Sequence, residues 1–215
     1  NKIIKDIKLN NEQENAYKKI IKNISSFMPT LIEGVTGSGK TELYIRVAKE
    51  ILDAKGQILI IVPEINLTPQ TVSRFKDYLG CNISTYHSAL TETMRLKTWD
   101  NCRNNNIDVL IGTRSAVFLP FANLKLIVID EEHDASLKQS EKFRYHARDI
   151  ALVRAKNANI PILMGSATPS FESLHNSQIK KYGHVILKNR FRNTKLPSVT
   201  VVDIKKDTTK DGFSS

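Results

Sequence analysis

The sequence predicts an α/β fold of three layers, in which a mainly parallel central sheet lies between two layers of helices. Short apolar runs alternate along the chain with longer segments whose apolar residues recur at helical spacing. These runs lie at 30–33, 58–62, 107–111, 126–129 and 160–164. Such an alternation is typical of parallel sheets that helices cover on both faces. A chain of 215 residues, 40% of them hydrophobic and 25% charged, is long enough to enclose one core of this kind.

Two further segments are assigned from the same patterns. Apolar residues over 11–24 recur as they do on one face of a helix, and Asn10 or Asn11 is the expected N-cap. Two polar breaks interrupt the patterns: 101–106 is predicted to be a loop, and 134–141 directly follows an acidic string.

The composition limits the class of protein. Cys81 and Cys102 are the two cysteines, and their spacing fits neither a zinc site nor a disulfide framework, so we expect free thiols in a reducing compartment. The longest apolar stretches are too short to span a bilayer, and the polar N-terminus has no signal-peptide core, so we expect a cytoplasmic protein without a membrane segment. A formal net charge of +10 suits a polyanionic partner such as nucleic acid, although A·T-rich coding would also enrich lysine.

A phosphate-binding loop is predicted at 34–41, where the sequence GVTGSGKT fits the pattern G-x-x-x-x-G-K-[ST]. In this pattern backbone N–H groups surround phosphate oxygens, Lys40 bridges the outer phosphates, and the Thr41 hydroxyl binds Mg²⁺. A strand precedes the loop and a helix follows it, so the helix N-terminus points at the phosphates. A chance glycine turn is the alternative. The expected ATP contacts of the loop are Gly34, Thr36, Gly37, Ser38, Gly39, Lys40 and Thr41.

An acidic string, Asp130-Glu131-Glu132-His133, follows the apolar run at 126–129. In an open α/β sheet, ligands bind at the carboxyl ends of the strands. Asp130 is therefore predicted to hold Mg²⁺ through water, and Glu131 to orient or deprotonate the attacking water. An acidic turn that caps a helix is the alternative. Together with Lys40, these two carboxylates form the predicted catalytic set.

Further strings occur in order along the chain. They are LNNEQ at 9–13, PEINLTPQ at 63–70, HSAL at 87–90, GTRSA at 112–116, RYHARD at 144–149 and GSATP at 165–169. With the phosphate loop and the acidic string, they resemble the motor of superfamily 2 helicases over nearly the whole chain. The strings at 63–70 and 144–149 resemble in particular the primosomal replication-restart helicases of that superfamily.

This resemblance implies a RecA-like P-loop NTPase fold and an ATP-dependent 3′-to-5′ DNA helicase that acts in primosome assembly and replication restart. The implied ligands are ATP as substrate, Mg²⁺, and single-stranded and forked DNA. The implied partners of the full-length bacterial protein are primosome proteins and single-strand-binding proteins. We expect a monomer, and we expect zinc only in another part of the full-length protein.

The resemblance also implies a division of the chain. The first helicase lobe, which binds ATP, would cover 1–203 and end in a strand at 199–203, and 204–215 would be a linker towards a second lobe. In such motors the second lobe supplies an arginine worth about 10³ to 10⁵ in rate. The isolated lobe is therefore expected to hydrolyse ATP poorly.

Individual roles are implied by the same resemblance. Gln13 would read the adenine, because an amide both donates and accepts at a base edge; a solvated helix residue is the alternative. Residues along one DNA strand would be Thr68, Gln70, Thr113, Arg114 and Ser115. The alternative is that the strings at 63–70 and 112–116, which carry these residues, are ordinary strand-to-helix turns.

Two more groups would couple DNA contact to ATP turnover. An aromatic-rich loop would stack on bases and hold phosphates through Phe143, Arg144, Tyr145 and Arg148; a buried helix start is the alternative. His133 would link the nucleotide site to Ser166 and Thr168 by a hydrogen bond, whereas helix capping is the competing role for these two hydroxyls.

Two other functions stay open. One is the motor lobe of another superfamily 2 DNA translocase, RecG-like or restriction-type, and the string at 63–70 argues against it. The other is a nucleotide-dependent binding module without motor activity, against which the Glu131 carboxylate speaks.

Overall fold

The computed structural model describes residues 8–189, which form a seven-stranded parallel sheet between layers of helices. The helices are α1 (Asn11–Ile21), α2 (Lys40–Asp53), α3 (Pro69–Leu79), α4 (Glu92–Arg103), α5 (Ala147–Ala158) and α6 (Phe171–Gln178). The strands are β1 (Pro29–Gly34), β2 (Gln57–Ile61), β3 (Ile83–Tyr86), β4 (Val109–Gly112), β5 (Leu124–Ile129), β6 (Lys138–Gln139), β7 (Tyr145–His146), β8 (Ile162–Ser166) and β9 (Gly183–Leu187). The three-layer α/β prediction is confirmed.

The strand order in the sheet is β3-β4-β2-β5-β8-β1-β9, and each neighbouring pair is parallel. The five predicted strands correspond to β2, β4, β5, β8 and β1, which occupy the centre. Their residues are buried on both faces, and this explains the continuous apolar runs. In β2, for example, Ile58 and Ile60 pack with α1, α2 and α3 on one face, whereas Leu59 and Ile61 pack with α5 on the other.

The sequence analysis missed the two edge strands, β3 and β9. Among residues 8–189, each pairs with one neighbouring strand and is partly exposed, so its sequence carries no long apolar run. The polar segment at 134–141 contains a short 3₁₀ turn and β6, which pairs antiparallel with β7.

The first helix begins where the sequence predicts. Asn10 is the N-cap, and its side chain accepts a hydrogen bond from the Gln13 backbone, while the helix ends at Ile21 rather than Ile24. The predicted last strand at 199–203 and the predicted linker at 204–215 lie outside the described residues. Across 8–189, no helix combines the length and the hydrophobicity needed to cross a bilayer.

Candidate nucleotide site and its link to a polar surface

Three of the strings meet because three strands are adjacent. The phosphate loop follows β1, the acidic string follows β5, and the string at 165–169 spans the end of β8, which lies between β1 and β5. Since all three strands are parallel, their carboxyl ends lie at one edge of the sheet. The fold therefore brings the predicted nucleotide residues together.

The phosphate loop turns through two glycines in the left-handed region, Gly37 (φ +79°) and Gly39 (φ +88°), and α2 begins at Lys40. The first backbone N–H groups of α2 therefore face the loop. The buried Ser38 hydroxyl has no hydrogen-bond partner among residues 8–189, as fits a group that donates to a phosphate oxygen. The Lys40 ammonium donates to the Gly34 carbonyl at 2.8 Å, which keeps it within the loop.

The Lys40 Nζ atom also lies 3.4 Å from Glu131 Oε1. Glu131 has a left-handed backbone (φ +47°), which is costly for a residue with a side chain. Its second carboxylate oxygen accepts a hydrogen bond from the Ala167 N–H at 3.4 Å. The carboxylate is thus held between the ends of β1 and β8, where it can activate a water molecule.

Thr41 and Asp130 line one cavity of about 230 Å³. A hydroxyl and one carboxylate are oxygen ligands of the type that Mg²⁺ takes when phosphates and waters complete its shell. Within 8–189, no group of three or more His, Cys, Asp or Glu side chains is arranged to hold a metal. Burial raises the pKa of Asp130, and the nearby Glu131 charge adds to this rise. These residues fit a metal that arrives with a nucleotide.

The predicted hydrogen bond of His133 is present. His133 Nδ1 lies 2.7 Å from the Oγ atom of buried Ser166, and the same Oγ accepts from the Thr168 N–H at 3.0 Å. The N-cap of α6 is Ser170, so neither Ser166 nor Thr168 caps this helix. A chain of hydrogen bonds thus joins the acidic string to the loop after β8.

Gln13 is fully buried against the phosphate loop. Its Oε1 accepts from the Asn10 N–H at 2.9 Å, and its Nε2 donates to the carbonyls of Ser38 and Gly39 at 3.2 and 3.4 Å. A Cβ at Gly39 would lie 1.9 Å from Nε2, so the glycine makes room for this amide. In this arrangement the amide positions the loop, and reading of adenine remains a prediction.

Glu132 has a structural role that the sequence analysis missed. Its buried carboxylate accepts hydrogen bonds from Arg148 Nη1 at 2.9 Å, from the Ser170 N–H at 2.7 Å and from the Ser173 hydroxyl at 3.0 Å. The Arg148 side chain is only 11% exposed. Arg148 was predicted to contact DNA or to couple DNA contact to ATP turnover, and this burial favours the coupling role. The sequence alone does not pair these two residues. Glu131 stands next to Glu132, and Lys142 and Arg144 lie close to Arg148 in the chain, so several pairs are possible.

Three aromatic rings, two of them exposed, form a cluster beside this network. Phe118 and Tyr145 have ring centroids 4.9 Å apart, and Phe143 lies 6.2 Å from the former and 5.8 Å from the latter. Phe118 and Phe143 are 49% and 70% exposed. We call these three residues the aromatic cluster. The sequence analysis predicted its last two members and missed Phe118, which stands four residues after Arg114 and carries no sequence signal that distinguishes it from a core residue.

The strings at 63–70 and 112–116 follow β2 and β4, which are neighbours in the sheet. Among the predicted DNA contacts on them, Gln70 is exposed, while Arg114 and Ser115 are half-buried. Arg114 donates to the Ser136 carbonyl at 3.1 Å. Arg144 of the aromatic-rich loop is exposed.

Of the other two predicted DNA contacts, one caps a helix and one is buried. Thr68 is the N-cap of α3, and its hydroxyl accepts from the Thr71 N–H at 3.2 Å. Thr113 is 3% exposed, which leaves its side chain little room for a phosphate.

The fold and the site define a P-loop NTPase of the RecA-like type. The chain belongs to the DEAD/DEAH box helicase family, whose model matches residues 10–177. It is 48% identical over 96% of its length to the replication restart protein PriA of Haemophilus influenzae and 39% identical over 93% to that of Bacillus subtilis. The chain spans 28% and 25% of these two relatives.

Solved structures agree on the fold. RecG bound to a three-way DNA junction matches with a TM-score of 0.63 at 26% sequence identity, over 85% of this chain and 24% of that one. The helicase MrfA bound to DNA matches with a TM-score of 0.61 at 18% identity, over 85% of this chain and 26% of its own.

Proposed function

We propose that the chain is the ATP-binding motor lobe of a bacterial, cytoplasmic 3′-to-5′ DNA helicase that acts in primosome assembly and replication restart. One observation carries this proposal. The phosphate-loop Lys40 lies 3.4 Å from Glu131, in a chain with 48% identity to a PriA over 96% of its length. A lysine and a carboxylate in this arrangement serve phosphoryl transfer from ATP to water.

The residues divide the work at the nucleotide. The loop amides, the Ser38 hydroxyl and the N-terminus of α2 bind the phosphates, and Lys40 neutralises charge on the outer ones. Thr41 and Asp130 would hold Mg²⁺, which supplies further charge neutralisation when bound. Glu131 orients the attacking water and accepts its proton.

DNA would be contacted on the surface that carries the aromatic cluster. Its exposed rings suit stacking on unpaired bases, and Arg144 beside them suits phosphate binding. The strings at 63–70 and 112–116 would extend the contact along one strand, through Gln70 and Arg114. From His133 to Ser166 and Thr168, hydrogen bonds connect the nucleotide site to the loop after β8.

The full-length protein would contain further parts that act on this lobe. A second lobe would contribute an arginine to the nucleotide, so this lobe alone hydrolyses ATP slowly. Zinc would bind in another part of that protein, which would act as a monomer with primosome and single-strand-binding proteins.

Thermal unfolding with and without nucleotide tests the site. We expect ATP with Mg²⁺ at 100 times its Kd to stabilise the wild-type lobe by about 2.7 kcal/mol, or roughly 5–10 °C for a chain of this size. Lys40→Ala should abolish the shift. Lys49→Ala, on the same helix but away from the loop, should retain it. An unchanged midpoint for the wild type would refute the proposed nucleotide site.

A further inference from the structure

Tyr44 lies in the core directly beneath the nucleotide site. It follows Thr41 by three residues on α2, so both side chains lie on the same face of the helix. The Tyr44 side chain is 1% exposed, and its hydroxyl donates to Asp130 Oδ1 at 3.1 Å. Both residues line the cavity of about 230 Å³ that Thr41 also lines.

The structure makes room for this hydroxyl at a specific place. A Cβ built on Gly165 would lie 1.5 Å from the Tyr44 Oη atom and 3.4 Å from Asp130 Oδ1. Gly165 belongs to β8, which neighbours β5 in the sheet. Helix α2 and strands β5 and β8 thus converge on the Tyr44–Asp130 contact, and only glycine on β8 permits it.

The hydroxyl is not needed for packing. The ring packs among apolar side chains of the core, where a phenylalanine would fill nearly the same volume. A buried hydroxyl is costly unless it is hydrogen-bonded, and here the hydrogen-bond partner is Asp130. Because this donor comes from α2, a separate element, it restricts the orientation of the Asp130 carboxylate.

We propose that Tyr44 is a positioning residue that holds Asp130 in the orientation required by the Mg²⁺ of the nucleotide complex. The inference rests on the proposed function of this site. Mg²⁺ demands near-ideal octahedral geometry, so a carboxylate that rotates freely binds it less well. Groups that orient a metal ligand are typically worth 10- to 100-fold in metal affinity.

Tyr44→Phe tests the proposal, and Tyr17→Phe is the matched control. Tyr17 also donates its hydroxyl to a carboxylate, Glu50 Oε1 at 2.6 Å, but on the outer side of α2. At saturating ATP, the Mg²⁺ concentration that gives half of the thermal shift should rise about 10- to 100-fold in Tyr44→Phe and stay unchanged in Tyr17→Phe. A fluorescent ADP analogue titrated in EDTA should bind both variants as it binds the wild type.

Two results would overturn the positioning role. One is a wild-type Mg²⁺ midpoint in Tyr44→Phe. The other is an equal loss of analogue binding in EDTA, which would indicate general damage to the loop. Failure of the proposed function is distinct, since the wild-type lobe would then show no nucleotide-dependent shift in any Mg²⁺ concentration.

Discussion

His133 Nδ1 and Ser166 Oγ are 2.7 Å apart, and this hydrogen bond joins the acidic string after β5 to the end of β8. A contact of this kind has an energy that can be separated from the effects of each side chain by a double-mutant cycle. Ser166 Oγ also accepts from the Thr168 N–H, so the hydrogen bond runs on into the loop that carries Thr168.

We expect His133→Ala and Ser166→Ala to be non-additive, with an interaction energy of about 0.5–3 kcal/mol in urea unfolding. As a control, His133→Ala is combined with Ser84→Ala on β3. Two strands, β4 and β2, lie between β3 and β5. The three inter-strand spacings amount to about 14 Å, so the control pair should add within about 0.5 kcal/mol. Equal additivity of both pairs would show that the hydrogen bond contributes nothing.

The aromatic cluster should bind unpaired DNA bases. Stacking is worth about 1–3 kcal/mol per base in alanine substitutions, so Phe118→Ala, Phe143→Ala and Tyr145→Ala should each weaken binding of an oligothymidine by roughly 5- to 150-fold. The measurement is fluorescence anisotropy at fixed moderate salt, because phosphate contacts depend on salt. Phe171→Ala is the control, since Phe171 is 89% exposed on another element.

If Phe171→Ala weakened oligothymidine binding as much as Phe118→Ala, any exposed ring would contribute equally. The aromatic cluster would then have no specific role in base stacking. Loss with the two loop residues but not with Phe118→Ala would confine base contact to the segment at 143–145.

The residues of the candidate nucleotide site could be predicted from the sequence more completely than the contacts around them. Lys40, Thr41, Asp130 and Glu131 are identified by local strings, and the rule that parallel strands end at one edge brings those strings together. Local strings are sufficient for this prediction because one loop and one turn carry most of the proposed phosphate and metal ligands.

Apart from the hydrogen bond between His133 and Ser166, which the family resemblance implied, these contacts between distant segments were not predicted from the sequence. The hydrogen bond of Tyr44 to Asp130 depends on strand order and on the missing side chain of Gly165. Phe118 belongs to the aromatic cluster because the antiparallel pair of β6 and β7 places Tyr145 beside it. Periodicity reports which face of an element is apolar, but it carries no information about which residue of another element lies opposite.

Arg148 should matter for stability far more than its neighbour Arg144. The Arg148 guanidinium bonds to Glu132, whose side chain has no exposure. Removing one partner of a buried pair leaves an uncompensated charge and costs about 3–5 kcal/mol. We expect that loss for Arg148→Ala in urea unfolding, against about 0.5 kcal/mol or less for Arg144→Ala, which is exposed.

The double variant Arg148→Ala/Glu132→Gln provides the internal check. Neutralising Glu132 removes the uncompensated charge, so the double variant should be more stable than Arg148→Ala alone. A double variant that is less stable by the sum of two separate losses would argue that charge compensation is not what Arg148 provides.

His146 should make the lobe less stable in mild acid. Its ring caps α5 by accepting from the Arg148 N–H at 3.3 Å, a role that a protonated nitrogen cannot fill. Burial, followed by the charge of Arg148, lowers the pKa of His146 below its usual 6.5, while Asp149 and Glu132 oppose this shift and Lys138 adds to it. The unfolded chain therefore binds the proton more readily than the folded one. The contribution of neutral His146 to the free energy of unfolding is complete above pH 6.5 and is lost as the pH falls through the lowered folded-state pKa.

His146→Asn retains a capping oxygen and removes the titration. In urea unfolding at pH 7.5 and 5.5, we expect the free energy of unfolding of the wild type to fall, relative to that of His146→Asn, as the pH is lowered. Comparing the two proteins at each pH cancels the other titrating groups that they share. A constant difference between them would show that His146 takes up its proton equally in the folded and unfolded chains, and a difference that shifts in favour of the wild type at pH 5.5 would reverse the sign of the assignment.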